Sequence, residues 1–245
     1  MFGKYNFLSK SIFLVVKQYL SKQNIAIFLA ILFHFCGAIG ILFTDKKDWF
    51  INNTPLNLSL MALLLVWVQE AKNLAFFAFF GITFLVGMAT EMVGVNTGKL
   101  FGNYHYGTVL GNKLNGVPYL IGINWFVIIF CTGTLITKLN DWVEDKYQEA
   151  GINMSPTLKK FSFLFDGAII ATSFDYGIEP VANHLHFWEW KDNLIPMYNY
   201  LCWFIISTLL LYIFKRLQFN KENQFAIHLL IIQYLFFTAL EIYLP

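Results

Sequence analysis

Residues 91–125 read EMVGVNTGKLFGNYHYGTVLGNKLNGVPYLIGINW, and residues 175–203 read DYGIEPVANHLHFWEWKDNLIPMYNYLCW. Both stretches begin with an acidic residue where an apolar run ends, and both cross a loop rich in aromatic residues and histidine. Each re-enters an apolar run at a proline, Pro118 or Pro196, and a Trp-Phe pair follows seven residues later. The two stretches therefore predict two helical hairpins that hold most of the polar groups able to do chemistry.

The composition is typical of a protein that lies in a membrane. Hydrophobic residues make up 57% of the 245 residues and charged residues 13%, whereas soluble domains carry roughly 25% charged residues. The net charge is only +2, and no cluster of basic residues indicates a nucleic-acid partner. We therefore expect an all-α polytopic membrane helix bundle surrounded by lipid.

Seven apolar segments approach or reach the length that crosses a bilayer, about 17–25 residues. The second is the weakest, because Pro55 begins it and Gln69 and Glu70 close it, so a count of six or eight stays open. The predicted spans are residues 25–44, 56–70, 74–90, 119–137, 160–175, 197–214 and 225–244.

We treat residues 25–245 as a single transmembrane domain. Residues 1–24 hold four lysines and are predicted to form either a helix on the membrane surface or a basic flank that orients the first span. Residues 1–24 and the predicted loops on the same side of the membrane together carry 12 of the 17 Lys and Arg residues. Because positive residues favour the cytoplasmic side, we expect the N-terminus inside and both hairpin loops outside the cytoplasmic membrane.

The likeness between the two stretches predicts a weak internal repeat. Spans three and four would then be related to spans five and six by a pseudo-twofold axis along the membrane normal, and binding sites tend to form at such repeat interfaces. The alternative is coincidence, since proline often begins helices and tryptophan favours membrane interfaces.

Three acidic residues are the leading candidates for chemistry, since ionisable side chains at membrane depth are costly and mark functional sites. They are Glu91, Asp175 and Glu179. Pro180 and Gly177 predict that the helix breaks here and turns Asp175 and Glu179 into a cavity. The alternative is a pair of interfacial acids that face water. A carboxyl group between apolar walls and beside another carboxylate can keep its proton and act as an acid.

Further candidates lie in the hairpin loops. His105, between two tyrosines, is either a proton relay or an idle exposed residue. His184 and His186 are a weak metal signal, because no further ligands stand at a familiar spacing, and we expect no metal. Four tryptophans either form an interfacial belt or line a pocket for a long conjugated chain: Trp125, Trp188, Trp190 and Trp203.

Several classes of membrane protein are excluded by residues that the sequence lacks. The last predicted span has no lysine that could carry a retinal Schiff base, and no DDxxD motif of a membrane prenyltransferase is present. A channel is poorly supported, because neither a voltage-sensor pattern nor a repeated pore signature occurs.

Five short blocks follow each other in a fixed order over about residues 80–205: Glu91 with FGNYHYG, GVP at 116–118, Asp175-x-x-x-Glu179-Pro-Val-Ala, Trp188-x-Trp190, and Pro196-x-x-Asn199-x-x-x-Trp203. In these blocks the chain resembles the bacterial and archaeal carotenoid biosynthesis membrane family. That family usually has Asp in place of Glu179 and Gly-Val-Pro in place of Leu194-Ile195-Pro196.

The family includes carotenoid 1,2-hydratases, so the resemblance implies hydration of an acyclic carotenoid end, as in γ-carotene, lycopene-type carotenoids or a bacterioruberin precursor. Protonation of C2 in the terminal C1=C2 bond would give a tertiary cation, and water would add at C1. The resemblance implies a carotenoid substrate, no cofactor, and other carotenoid biosynthesis enzymes as candidate partners.

The same resemblance implies roles for particular residues. Asp175 is expected to be the acid and Glu91 or Glu179 the base. Three residues are expected to hold the water, namely Tyr104, His105 and Asn124. Aromatic residues such as Trp188 and Trp203 are expected to shield the cation, and the remaining substrate contacts are assigned to Tyr106, Trp125, Trp190 and Asn199.

Two other functions remain open from the sequence. A carotenoid end-group cyclase or isomerase would use the same protonation, but ring closure or proton loss would quench the cation. A non-catalytic carrier of a carotenoid or another lipid would keep the aromatic residues and tolerate loss of the acids.

Overall fold

The computed structural model of the protein describes residues 21–244, and the predicted N-terminal flank or surface helix lies almost entirely outside these residues. Within this range the chain folds into an all-α bundle, as predicted, with four short strands in its loops. The helices are α1 (Lys22–Phe43), α2 (Lys47–Asn52), α3 (Thr54–Val68), α4 (Leu74–Thr97), α5 (Tyr119–Glu149), α6 (Pro156–His184), α7 (Met197–Arg216) and α8 (Gln224–Tyr243). The strands are β1 (Tyr104–Tyr106), β2 (Lys113–Leu114), β3 (Val117–Pro118) and β4 (Trp188–Trp190).

Each of the seven predicted spans falls on a helix. Among the described residues, five helices are long and apolar enough to cross a membrane, namely α1, α4, α5, α7 and α8. Helix α3 is apolar but has only 15 residues, in keeping with its weak sequence signal. Helix α6 has 29 residues but carries both Asp175 and Glu179, which make it more polar. These five helices support an integral membrane protein, whereas the side that the N-terminus faces stays a prediction.

The helix ends are fixed by local sequence. Four polar residues each accept a hydrogen bond from the backbone N–H three residues ahead: Ser21, Asn73, Ser155 and Asn223. Such caps satisfy one of the unpaired N–H groups at a helix start. Helix α4 ends at Gly98, whose φ of 64° lies in the left-handed region that glycine adopts readily.

The loops of the two predicted hairpins are joined by a pair of strands. Strand β1 pairs antiparallel with β4, with Tyr104 opposite Trp190 and Tyr106 opposite Trp188. Just beyond β1, the N–H of Gly107 donates to the carbonyl of Phe187 at 3.0 Å. The pairing therefore ties the loop between α4 and α5 to the loop between α6 and α7.

Aromatic rings fill much of the bundle interior. Phe76 lies edge-on to Phe126 and Phe130, with centroid distances of 5.9 and 5.7 Å. Nearer the paired strands, Trp125 stacks on Trp203 with centroids 4.0 Å apart and planes 10° apart. Each such pair contributes about 0.5–1.5 kcal/mol beyond the burial of its area. The tryptophan stack links α5 to α7, the returning helices of the two hairpins.

The internal repeat stays a hypothesis, with two observations in its favour. Antiparallel pairing of β1 with β4 is the arrangement that a twofold axis between them would produce. Trp125 and Trp203, which follow the two prolines at equal spacing, are in contact with each other, as residues close to such an axis would be.

We expect Gly107→Ala to destabilise the protein, because a Cβ at this position would overlap the carbonyl oxygen of His186. A backbone shift that relieves such a clash costs about 1–3 kcal/mol, and the melting temperature in detergent should fall by a few degrees. The control is Gly81→Ala, since a Cβ at Gly81 has no atom within 4 Å. Equal melting temperatures for the two variants would contradict the close β1–β4 approach.

Candidate active site

A cavity below the paired strands brings together all three candidate acids. Glu91 is 5% exposed, Asp175 is 4% exposed and Glu179 is 2% exposed, and all three line the cavity. The cavity has a volume of about 80 Å³, counted as the space that the centre of a water molecule can reach. One water needs about 10–15 Å³ by this measure, so the cavity has room for several water-sized groups. Much of the remaining wall is apolar, including Ile121, Ile128, Phe174, Phe187 and Phe237.

Glu91, on helix α4, is held by three hydrogen-bond donors. The hydroxyls of Tyr104 and Tyr106 both donate to its Oε2 atom, the second at 2.7 Å. The indole N–H of Trp125 donates to Oε1 at 3.0 Å. These three donors hold both carboxyl oxygens of Glu91 in fixed positions.

The local sequence explains how two tyrosines reach one carboxylate. Successive side chains of a strand point to opposite faces, so Tyr104 and Tyr106 turn inward together while His105 between them faces outward. Gly94 lies one turn beyond Glu91 and leaves room for the phenol, because a Cβ at this position would stand 2.8 Å from the Tyr104 oxygen.

Glu179, on helix α6, has a matching arrangement. The indole N–H groups of Trp188 and Trp190 donate to its Oε2 atom at 2.9 and 2.6 Å. These two tryptophans are two residues apart on strand β4, so their side chains point to the same face of the strand. Each hairpin thus places a pair of aromatic donors on the carboxylate at the end of its own first helix, Tyr-x-Tyr on Glu91 and Trp-x-Trp on Glu179.

Asp175 has fewer partners than the other two acids. The side-chain amide of Asn199 donates to Asp175 Oδ2 at 2.9 Å and, at 3.3 Å, to Glu179 Oε1. No other described residue donates a hydrogen bond to Asp175, so its Oδ1 atom accepts none from this part of the chain. Among the three acids, Asp175 is therefore the one with an oxygen free to meet a ligand.

The predicted helix break at Glu179 is wrong. Helix α6 runs unbroken from Pro156 to His184, with Pro180 inside it. Proline removes one backbone hydrogen bond, but the helix continues for a further turn and ends at His184. Because the helix is continuous, Asp175 and Glu179 stand one turn apart on the same face. Both carboxyl groups reach the cavity, as predicted, through this shared face rather than through a broken turn.

The two tyrosines remain hydrogen-bond donors at neutral pH. Burial, and next the negative charge of Glu91, raise the pKa of Tyr104 and that of Tyr106 well above the ordinary value of 10.0. Both phenols therefore keep their protons, and Glu91 keeps both donors.

The remaining predicted residues divide into two groups. Asn124, Trp125, Asn199 and Trp203 line the cavity together with the strand residues described above. His105 does not, because it lies on the outer face of β1 with its side chain 69% exposed, and its Nε2 is 3.5 Å from Glu189.

Other polar residues from the loops and spans also lie away from the cavity. His184 contacts the carbonyl of Pro180 and His186 contacts Glu189. Asp166 accepts a hydrogen bond from Ser162 on its own helix, and Glu241 is exposed. Among residues 21–244, no group of three or more His, Cys, Asp or Glu side chains is arranged to hold a metal ion.

Sequence reasoning missed Gln233, which lines the cavity from α8 and is 5% exposed. A signal was present, since Gln233 is a lone amide in the middle of an apolar helix, and polar residues inside membrane helices often mark function. The pairing of Tyr-x-Tyr and Trp-x-Trp with particular acids was also missed, although the alternation itself was visible.

The fold and the cavity define an integral membrane helix bundle with a buried cluster of carboxyl groups. The chain belongs to the carotenoid biosynthesis protein family, whose model matches residues 54–244. The match extends from α3 to α8 and includes every residue that lines the cavity, so the predicted family is confirmed. No curated protein and no solved structure matches the chain.

We expect Tyr106→Phe to destabilise the protein, because Glu91 would lose a buried donor. Hydrogen bonds to charged groups contribute about 1.5–3 kcal/mol, which chemical unfolding in detergent would measure. The matched control is Tyr119→Phe, since Tyr119 is 46% exposed and lies outside the cavity. A Tyr106→Phe variant as stable as the control would show that Glu91 does not depend on this phenol.

Proposed function

We propose that the protein is a carotenoid 1,2-hydratase, which adds water across the terminal C1=C2 bond of an acyclic carotenoid end. The supporting observation is that three buried carboxyl groups share one largely apolar cavity and differ in their hydrogen-bond donors. Hydration of an isolated alkene needs a strong acid, a base and a site dry enough to admit a single water. Membership of the carotenoid biosynthesis protein family supplies the substrate class.

Asp175 is assigned the role of acid. Its single donor, Asn199, leaves the Oδ1 atom without a partner among the described residues. Two other acids line the same cavity, and a carboxyl group in such surroundings favours its neutral form. The proton would pass from Asp175 Oδ1 to C2 of the alkene, and the tertiary cation would form at C1.

Glu179 is assigned the role of base. Its Oε2 atom is occupied by two indole N–H groups, whereas its Oε1 atom has only the longer, 3.3 Å hydrogen bond from Asn199. That oxygen is available to take the proton that water loses as its oxygen bonds to C1. Since the same Asn199 amide contacts both acids, the proton gained by Glu179 is close to the Asp175 carboxylate that must regain it.

Glu91 is assigned an electrostatic role. Both of its oxygens accept hydrogen bonds from Tyr104, Tyr106 and Trp125, so it fits a fixed negative charge rather than a proton carrier. A preorganised charge beside the developing cation stabilises the transition state. The adjacent Trp125–Trp203 stack adds aromatic faces, which also attract cations.

The carrier alternative fits the cavity less well. Buried carboxyl groups are costly in a membrane protein, and binding of a hydrocarbon alone gives no reason to keep three of them at one place. The cyclase alternative shares the acid and differs in the fate of the cation. Amide side chains in the cavity wall, such as Asn124, favour water as the nucleophile.

The proposal is tested by pigment analysis in cells that accumulate lycopene or γ-carotene. We expect a more polar pigment that has gained the mass of one water, with unchanged visible absorption because the C1=C2 bond lies outside the conjugated chain. A product of unchanged mass and shifted absorption would establish cyclisation or isomerisation instead. Unchanged pigment, with the protein present in the membrane, would contradict the proposal.

We expect Asp175→Asn to lower hydration by about 10²-fold or more, as loss of a positioned acid does. The matched control is Asp166→Asn on the same helix, because Asp166 bonds to Ser162 and does not line the cavity. Product formed per amount of folded membrane protein is the measurement. Equal losses in the two variants would remove Asp175 from the mechanism.

A further inference from the structure

Gln233 is a buried amide whose side chain has no hydrogen-bond partner among the described residues. It lies in the middle of α8, is 5% exposed and lines the cavity. No hydrogen bond joins its side chain to any other residue in the range 21–244. Leaving a buried donor and acceptor unpaired costs free energy, and an apolar side chain would pack against the neighbouring Leu229 and Phe237 without that cost.

Three other buried amides among residues 21–244 are satisfied. Asn199 donates to Asp175, Gln69 donates to the carbonyl of Asn220 at 2.6 Å, and Asn223 donates to Gln69 at 2.8 Å. Asn57 leaves its Oδ1 atom unpaired away from the cavity, whereas Asn124 on α5 lines the cavity and, like Gln233, has no side-chain hydrogen bond to a described residue. Two amides without partners, on helices that pack together, indicate that the cavity holds a polar ligand during function.

The chemistry of an amide limits what this ligand is. A carboxamide offers N–H donors and a carbonyl acceptor, and it neither gives up nor gains a proton at neutral pH. A water molecule both donates and accepts hydrogen bonds, so it can use the N–H donors and the carbonyl acceptor of a carboxamide. The oxygens of Glu91 are all engaged, so the two amides and Asp175 Oδ1 are polar groups of the cavity that remain available to a water molecule.

We infer that Gln233 is a specificity-determining residue that holds the attacking water and afterwards the tertiary hydroxyl of the product. The inference rests on the proposed hydratase function and goes beyond it, by assigning to one side chain of the last helix the choice between hydration and proton loss. Asn124 is the second contact to the same water.

The cation at C1 can react in two ways, and Gln233 determines which reaction occurs. In the first, the water oxygen forms a bond to C1 and a water proton passes to a carboxylate, which gives the alcohol. In the second, a carboxylate removes a proton from C2 or from a methyl group on C1, which regenerates an alkene. When no water is bound to Gln233, proton loss becomes the main reaction, although protonation by Asp175 continues.

The experiment uses membranes that contain the full chain, lycopene as substrate, and buffer made with D₂O. The variants are Gln233→Met and Gln233→Leu, which remove the amide and preserve an apolar packing surface. The control is Thr238→Val on the same helix, because the Thr238 hydroxyl bonds to Tyr234 of its own helix and does not line the cavity. Mass detection follows hydrated product and deuterium in the recovered carotenoid.

We expect hydration to fall by about tenfold or more in both Gln233 variants, while deuterium continues to enter the recovered carotenoid. The control should hydrate like the wild type. Melting temperatures of the Gln233 variants should equal or exceed that of the wild type, because an unpaired buried amide has been removed; a lower value in both would overturn the inference by showing that the amide is structural.

Two other outcomes would also overturn the inference, and they are distinguishable from failure of the proposed function. Gln233 variants that hydrate lycopene at the wild-type rate would leave the hydratase function intact and remove Gln233 from it. Parallel loss of hydration and deuterium entry would place Gln233 in the protonation step instead. A wild-type protein that neither hydrates lycopene nor exchanges deuterium would contradict the hydratase function itself.

Discussion

Three carboxyl groups lie buried inside a bundle of apolar helices, and buried carboxylates must find hydrogen-bond donors within the protein. The chain meets this requirement with short aromatic strands. Strand β1 supplies two phenols to Glu91, and strand β4 supplies two indoles to Glu179. The β1–β4 pairing therefore couples the two donor sets, and the position of each acid depends on loops from both hairpins.

The same requirement separates the three acids into different chemical environments. From the part of the chain that the structure describes, Glu91 and Glu179 each accept several hydrogen bonds, whereas Asp175 accepts one. Acids in contrasting environments within one site are the usual basis for a division between proton donor and proton acceptor. In the proposed mechanism the aromatic residues serve first as donors that fix two negative charges, and only second as a surface for the hydrocarbon substrate.

Sequence patterns predicted much of this arrangement, and the failures have physical causes. Apolar runs located seven of the eight helices described in residues 21–244, all but the short α2, and acids at the ends of those runs located the cavity, because both depend on local sequence. The helix break predicted from Pro180 does not occur, because α6 tolerates the loss of one hydrogen bond near its end. The pairing of Tyr104 with Trp190 joins residues far apart in the chain, and the periodic pattern of apolar residues in a sequence does not indicate such contacts. Gln233 was missed because a lone amide has no motif around it.

The proposed mechanism requires that Asp175 carries a proton while Glu91 and Glu179 are ionised. Infrared spectroscopy of the purified protein at neutral pH tests it directly, since a protonated carboxyl group has its own carbonyl stretching band, separate from the carboxylate bands. The account predicts one such band from the cavity, absent in Asp175→Asn and present in Glu91→Gln and Glu179→Gln. A band that survives in Asp175→Asn and disappears in Glu179→Gln would contradict the account and reverse the assignment of acid and base.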